Sequence, residues 1–408
     1  MATRDHAPHH EALLLLTRVP SIEFSSLKAA YAPAFRKVLG DLSASVEGTN
    51  KIAILDVAVV IDGLLTPESQ PRARVFNQLQ RLFAGIYRLL SAASVAEDVE
   101  LDGPGGIDAR VVFVDPAARE TARRDHALAQ GPIIALEDLL TSNHSWGLIY
   151  SLESPGGNAV LDAFSLASKE RGGSNQSFAI RKLPDTTAAR SELTISGDPG
   201  ALAARKNHSV AVGGTFDHLH AGHKLLLTAT ALAIDPDYPQ QQGKHKTLTI
   251  GITGDELLVN KKYAEALESW DDRWKGVWRF LESIMMFDPS ATIRTEHVSN
   301  PGPNGKYVQI TVSPGMDIRF VQISDPFGPT ITDEDITGLV VSRETRSGGQ
   351  AVNDERAKKG WANLDIFEVD VLDLGDNEQP DAATEGFDSK ISSTEIRRRR
   401  MNLAKGSL

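Results

Sequence analysis

The chain has 408 residues, a formal net charge of −11, 41% hydrophobic and 24% charged residues, and no cysteine. That length has room for two or three domains. The acidic balance argues against general nucleic-acid binding while allowing a local basic pocket, and the lack of thiols excludes disulfides and Cys-ligated metal sites. No apolar run is long enough to span a membrane and no signal-like start is evident, so the cytoplasm is the expected compartment.

In chain order, Leu13 to Leu16 reads as a buried strand. Leu27 to Leu42 follows with helical spacing, with Pro33 expected in a first turn or at a kink. Ile52 to Ile61 is a second apolar strand, ending at Asp62-Gly63. Arg72 to Ala96 has the clearest amphipathic stripe, through Phe76, Leu79, Leu82, Phe83, Ile86 and Leu90. Val111 to Val114 reads as a third strand, Gly131 to Leu140 as a mixed element and Trp146 to Leu152 as another strand. This alternation predicts a small α/β domain over residues 1–195. It contains no Gly-x-Gly-x-x-Gly, no P-loop and no acid/base cluster, so a structural or docking role is expected. Residues 196–207 are small and polar, including Pro199-Gly200, and read as a linker.

Residues 208–408 read as a second α/β domain with a parallel sheet. The strands are expected at 209–213, 247–252, 318–323, 338–342 and 365–371, and the helices at 222–233, 268–286 and after Ser393. Ile234 to Lys246 and Asp288 to Met316 read as irregular insertions. Leu374 to Lys390 is acidic and reads as a flexible segment that gates the site when ligand binds. A chain beginning near Gly200 holds every predicted site residue and is expected to keep the activity.

The most informative stretch is Val210-Ala-Val-Gly-Gly-Thr-Phe-Asp-His-Leu-His-Ala-Gly-His-Lys-Leu-Leu-Leu227. An apolar strand is broken by Gly213 and Gly214, and helical spacing resumes at Leu225, Leu226, Ala229 and Leu232. Glycines let backbone amides approach a ligand, and a helix start favours anions. His220 and His223 would stand at that helix start, where histidines suit phosphate chemistry. Metal ligation by Asp217, His218, His220 and His223 is the competing reading.

Gly214-Thr-Phe-Asp217 with His220-x-Gly-His223 resembles the signature of the nucleotidyltransferase superfamily. Three further segments follow in the order seen in eukaryotic phosphopantetheine adenylyltransferases: Gly251 to Tyr263, Val341-Ser-Arg-Glu-Thr345 and Ile391-Ser-Ser-Thr-Glu-Ile-Arg397. The resemblance is to the monofunctional fungal type and covers about the C-terminal half. It implies a Rossmann-like nucleotidyltransferase domain that transfers the adenylyl group of ATP to 4′-phosphopantetheine, with Mg²⁺ accompanying ATP. It also implies a place in coenzyme A synthesis, where the first domain could dock other enzymes of that route.

Residue by residue, the resemblance gives catalytic roles to His223, His220 and Lys261. Thr215, Lys261 and Arg343 would hold the nucleophilic substrate. Gly213, Gly214, Thr215, Phe216, His220 and His223 would line the ATP site, with Arg346, Ser392, Ser393, Thr394 and Arg397. Arg356 is a further candidate for ligand contact. Ser392 to Glu395 also has the spacing of a capping box, and Arg397 to Arg400 form a basic run whose other reading is a nuclear or nucleic-acid patch. The rivals are a cytidylyltransferase acting on a phosphorylated alcohol, whose usual late Arg-Thr-x-Gly-Ile-Ser-Thr is absent, and a non-catalytic scaffold of the same fold.

Overall fold

The computed structural model describes residues 10–101, 103, 105–116, 130–142, 144–170, 178–185, 193–195, 197, 205–236, 245–313, 315–372 and 392–406. The 374–390 segment read above as a gate, and most of the 196–207 linker, lie outside these residues.

Two sheets organise the chain. The first contains β1 (Glu11–Leu16), β2 (Ala53–Val60), β3 (Ile107–Asp115), β4 (Ile133–Ala135), β5 (Leu148–Glu153) and β6 (Ala179–Pro184). Its order is β4-β3-β2-β1-β5-β6, with every pairing parallel. β1 and β2 are central and covered on both faces, which is why they read as unbroken apolar runs rather than alternating ones. The crossovers are α1 (Phe24–Val46), α2 (Phe76–Ala96), the short α3 (Leu136–Thr141) and α4 (Pro155–Glu170).

The second sheet contains β7 (Ser209–Gly214), β8 (Lys246–Thr253), β9 (Thr292–Ser299), β10 (Lys306–Ser313), β11 (Met316–Ile323), β12 (Gly338–Ser342) and β13 (Asp365–Val369). Its order is β13-β12-β7-β8-β11-β10-β9. The pairings from β13 to β11 are parallel, and β9 and β10 extend the edge as antiparallel strands. The helices are α5 (Ala221–Ala233), α6 (Trp270–Met285), α7 (Arg346–Lys358) and α8 (Ser393–Gly406). α6 begins at a polar cap, where Ser269 Oγ accepts from the Asp272 amide at 3.1 Å, with Asp271 and Asp272 in the first turn.

Several elements depart from the sequence reading. α1 begins at Phe24, so Pro33 lies inside the helix and not in its first turn. The region 288–316 is not irregular, because β9 and β10 fill most of it; Val308, Ile310 and Val312 alternate inward. α4, β6 and α7 were not anticipated.

The two sheets share one apolar core. Buried residues of α2, β3, α5 and α6 belong to a single continuous cluster. At the far end of α6 the two units are in direct contact: the Gly131 amide donates to the Met285 carbonyl at 3.1 Å, and the His144 ring stacks on Phe287 with centroids 5.4 Å apart.

Candidate active site

β7 lies between β12 and β8, so the chain leaves it in one direction for β8 and later returns on its other side for β12. Ligands of open parallel sheets bind at the carboxyl ends of strands where the order reverses in this way. The register puts Gly214 and Ser342 level at that edge, since Val340 pairs with Val212. The glycine-rich turn, the start of α5 and Arg343 therefore lie along one edge of the sheet.

The turn is strained and then held. Phe216 and His218 adopt left-handed backbone angles, φ 52° and 47°, although neither is glycine. Such residues cost on the order of 1–3 kcal/mol each and persist only where their surroundings fix them. Here the Glu268 side chain accepts from the His218 amide at 2.8 Å, and the Asp217 side chain accepts from the Glu268 amide at 2.9 Å. Gly213 has open space where a side chain would stand, and at Gly214 a Cβ would meet the Phe216 ring at 3.0 Å. The Phe216 side chain is fully buried, so only its backbone can face a ligand.

His220 is the residue before the first turn of α5. Its ring stacks on that of His223, with centroids 4.0 Å apart and planes inclined by 22°, and Phe216 lies 5.4 Å from His223. Burial between these rings pushes the His223 pKa down to about 4, against the opposing charges of Asp217 and Glu268. The ring is therefore neutral at pH 7.

Arg397 of α8 brings three of the four motif segments together. Its Nη1 donates to Asp217 at 2.5 Å, its Nε to the Lys262 carbonyl at 3.0 Å and its Nη2 to Thr394 Oγ1 at 3.1 Å. Arg397 is 3% and Asp217 0% exposed. The guanidinium assigned above to ATP is thus engaged with protein, as a strut between α8 and the loops after β7 and β8. Lys261, next to the carbonyl it holds, is exposed at the same edge.

α8 opens on Ser392, whose Oγ accepts from the Glu395 amide at 3.4 Å. The reciprocal half of the expected capping box is missing, because the Glu395 carboxylate pairs with Arg398 at 2.6 Å. The arginine run divides around the helix: Arg397 is inside, Arg398 is on Glu395, and Arg399 is on Glu100 of the first unit at 3.2 Å. It does not form one basic face.

Of the remaining arginines, Arg343 is exposed at the end of β12, and Arg346 is exposed with its Nε 2.9 Å from Glu368. Arg356 is not a ligand residue. It is 1% exposed, and its guanidinium donates to the backbone carbonyls of Thr330, Asp333, Glu334, Ile336 and Ala362.

Among the described residues one cluster has donor atoms spaced for a metal: Asp217, His218 and Glu268, within 4.8 Å of one another. His220 and His223 are not part of it, which separates the histidines grouped above. Its donors are also spent. His218 Nε2 donates to the Ala266 carbonyl at 2.7 Å, and its Nδ1 lies 3.3 Å from Glu268. Burial opposes protonation of His218, but the Glu268 and Ala266 partners and the Asp217 charge outweigh it and raise the pKa. Arg397 also pairs with Asp217 beside these occupied donors, and the cluster does not fit a metal ion.

Sequence reasoning missed Arg273. Fully buried in α6, it donates to the Thr215 carbonyl and the Thr253 carbonyl at 2.9 Å each, to the Glu268 carbonyl at 3.1 Å and to Asp255 at 2.5 Å. It fixes the exits of β7 and β8 relative to each other. The available signal was a basic residue on the apolar stripe of Trp270, Trp274 and Val277.

Residues 1–187 match a family model described as a domain of unknown function (DUF8446). The chain is similar to an uncharacterized protein of Schizosaccharomyces pombe, 38% identical over 200 residues, covering 48% of each chain. It is similar to a phosphopantetheine adenylyltransferase of Saccharomyces cerevisiae, 36% identical over 199 residues, covering 49% of this chain and 50% of that one. Over 194 residues it is 31% identical to a phosphopantetheine adenylyltransferase of Methanothermobacter thermautotrophicus, covering 48% of this chain and 85% of that one. The match thus spans about half the length of the two yeast relatives.

Proposed function

The chain belongs to the phosphopantetheine adenylyltransferase family, and on that premise we propose that it catalyses, in the cytoplasm, adenylyl transfer from ATP to 4′-phosphopantetheine. The products are dephospho-CoA and pyrophosphate, within coenzyme A synthesis. The observation that carries this reading is the convergence on Arg397 of the glycine-rich turn, the loop after β8 and the start of α8.

In this reading the phosphopantetheine phosphate attacks the α-phosphorus of ATP. Phosphate is already a nucleophile at neutral pH, so positioning and charge stabilisation do the work, without a general base. Thr215, Lys261 and Arg343 hold the attacking phosphate. His220 and His223, at the start of α5, donate hydrogen bonds where charge develops on the transferring phosphoryl group, helped by the positive end of the helix. The neutral His223 ring gains affinity for a proton as the triphosphate arrives, because a nearby anion favours the charged imidazole.

The amides and hydroxyls of Ser392, Ser393 and Thr394 take the β- and γ-phosphates. Gly213 and Gly214 leave room for the nucleotide, and Arg346 exchanges Glu368 for phosphate. Arg397 acts by holding α8 in place. Mg²⁺ would accompany ATP and offset the triphosphate charge, with no residue of the Asp217, His218 and Glu268 cluster assigned to it, since those donors already serve protein partners. On the first unit, the exposed edge strand β6 is a face open to other enzymes of coenzyme A synthesis.

The test is pyrophosphate release by the purified chain with Mg²⁺, ATP and 4′-phosphopantetheine, set against CTP with phosphocholine. Release with the first pair alone supports the reading. Release only with the second pair, or with neither, refutes it.

A further inference from the structure

The residue after His223 does not serve that edge. Lys224 points the other way and is buried, with its Nζ 2.6 Å from Asp108 Oδ1 and 3.1 Å from the Ala109 carbonyl, both on β3 of the first sheet. Arg110 Nη2 lies on the second oxygen of Asp108 at 2.9 Å, and the ammonium stands 5.9 Å from the Phe280 ring centroid of α6. Lys224 is thus a junction of β3, α5 and α6.

The contact is the first of three polar links that run from the start of α5 to just past its end. Four residues on, Thr228 Oγ1 donates to the Lys224 carbonyl at 2.7 Å and lies 3.4 Å from the Tyr87 hydroxyl of α2. Beyond the helix, Asp235 accepts from the Arg72 amide at 2.6 Å and the Asn207 amide at 2.7 Å. The rest of the helix buries mainly small or aliphatic residues: Leu225, Leu227, Ala229, Ala231 and Leu232. Aliphatic packing alone holds a helix against sliding and rotation less specifically than a directional link does. An ion pair, here with Lys224 buried and the Asp108 side chain 33% exposed, adds little adhesion over an apolar pair of the same size, and its best-attested value is fixing register. Here it fixes the first turn, which carries the stacked His220 and His223.

We infer that Asp108 and Lys224 are positioning residues for adenylyl transfer: the first unit sets the rotation of α5, and through it the placement of His223. The inference deepens the function proposed above and rests on it. It gives the domain of unknown function a part in the chemistry without a ligand of its own. A misplacement of about 1 Å in a reacting group costs up to about 10²-fold in rate, so losing this link is expected to act on kcat.

The test uses the full chain and three variants: Asp108→Asn, Lys224→Met and the double variant Asp108→Leu/Lys224→Met. Because Arg110 also pairs with Asp108, the double variant strands that guanidinium and is expected to melt lower, whereas Lys224→Met keeps the Asp108–Arg110 pair and is expected to melt within a few degrees of wild type. Its kcat for pyrophosphate release should fall about tenfold, with KM for ATP and phosphopantetheine within about twofold. Wild-type kcat in a variant with a wild-type melting midpoint overturns the inference.

A second readout needs no turnover. In ligand-free Asp108→Asn, which is isosteric, the amide of Lys224 (bonded to the His220 carbonyl at 2.9 Å) should exchange about tenfold faster than in wild type, while amides of β11 keep their rates. Unchanged exchange at Lys224 overturns the inference whether or not the wild-type chain makes dephospho-CoA. A wild-type chain inactive on both substrate pairs refutes the proposed function instead.

Discussion

Replacing Arg397 by alanine tests the strut directly. The substitution removes three hydrogen bonds and leaves the 0% exposed Asp217 with the Glu268 amide but no cation. Breaking a buried ion pair by deleting one partner costs about 3–5 kcal/mol, because the remaining charge stays buried. The amide that still serves Asp217 puts the expected cost at the lower end, about 3 kcal/mol. α8 should take most of this loss, since Ile396 and Arg397 are its buried residues among those whose burial is described. Hydrogen exchange reads such local opening residue by residue. At about 1.4 kcal/mol per tenfold, amides of α8 should exchange about 10²-fold faster, while those of the first sheet keep their rates. The same variant should raise the KM for ATP, because the hydroxyls of Ser392 to Thr394 lose their fixed position. Asp217→Asn with Arg397→Gln, a neutral hydrogen-bonding pair, should recover part of the exchange protection. If Arg397→Ala leaves both α8 exchange and the ATP KM within about threefold of wild type, Arg397 is not a strut.

Three further substitutions follow from the same geometry. His223→Ala should lower kcat by about 10²–10³, the usual effect of deleting one transition-state donor, and steady-state assays giving a kcat within a few-fold of wild type would remove it from the mechanism. The depressed His223 pKa, about 4 against about 6.5 in the unfolded chain, stabilises nothing above 6.5. Stability is lost as pH falls from 6.5 towards 4, where only the unfolded state takes the proton. His218, with its raised pKa, works in the opposite direction, so the informative quantity is the difference between wild type and His223→Gln: between pH 7 and pH 5 the variant should lose less stability, by at most about 2 kcal/mol. Equal losses in denaturant titrations would contradict the burial of that ring. Gly131→Ala would bring a methyl carbon 1.8 Å from the Ile284 carbonyl oxygen. The expected cost is about 1–3 kcal/mol, and an unchanged melting midpoint would mean the two units are less closely apposed there.

What could be read from the sequence followed the range of the signal. The strand, turn and helix of 209–233 announce themselves within a few residues, as an apolar run, two glycines and leucines at helical spacing. Residues whose partners lie far along the chain gave no such notice. Lys224 and Asp108 are 116 positions apart, and Arg397 and Asp217 are 180 apart, so the first pair went unread and Arg397 was assigned to ATP from its motif alone. α7 escaped because its buried stripe consists of Gly349, Val352, Asn353 and Arg356, a helical period without an aliphatic face. β10 did alternate legibly, but its polar neighbour β9, exposed along nearly its whole length, made the region look like an insertion. The shared core also changes one expectation. A chain beginning near Gly200 keeps every predicted site residue but loses the α2 and β3 surface against which α5 is packed, so it should be poorly folded and inactive, as circular dichroism and pyrophosphate release would report.

The order of the strands also bears on how the molecule is made. Every strand of the first sheet precedes residue 185, whereas β7 has to wait for β12, more than a hundred residues further on, to occupy its second edge. Domains emerging from the ribosome fold as units, the N-terminal one first. The first sheet can therefore be complete, with α2 docked, before Ser209 has left the ribosome. The nascent α5 then meets a finished template on one side while its own sheet is still missing a neighbour on the other. A long-range parallel pairing such as β7 with β12 is slow to form and exposes apolar edges in the interval. The early unit covers one face of α5 at birth, so that face is not part of what stays exposed in the interval.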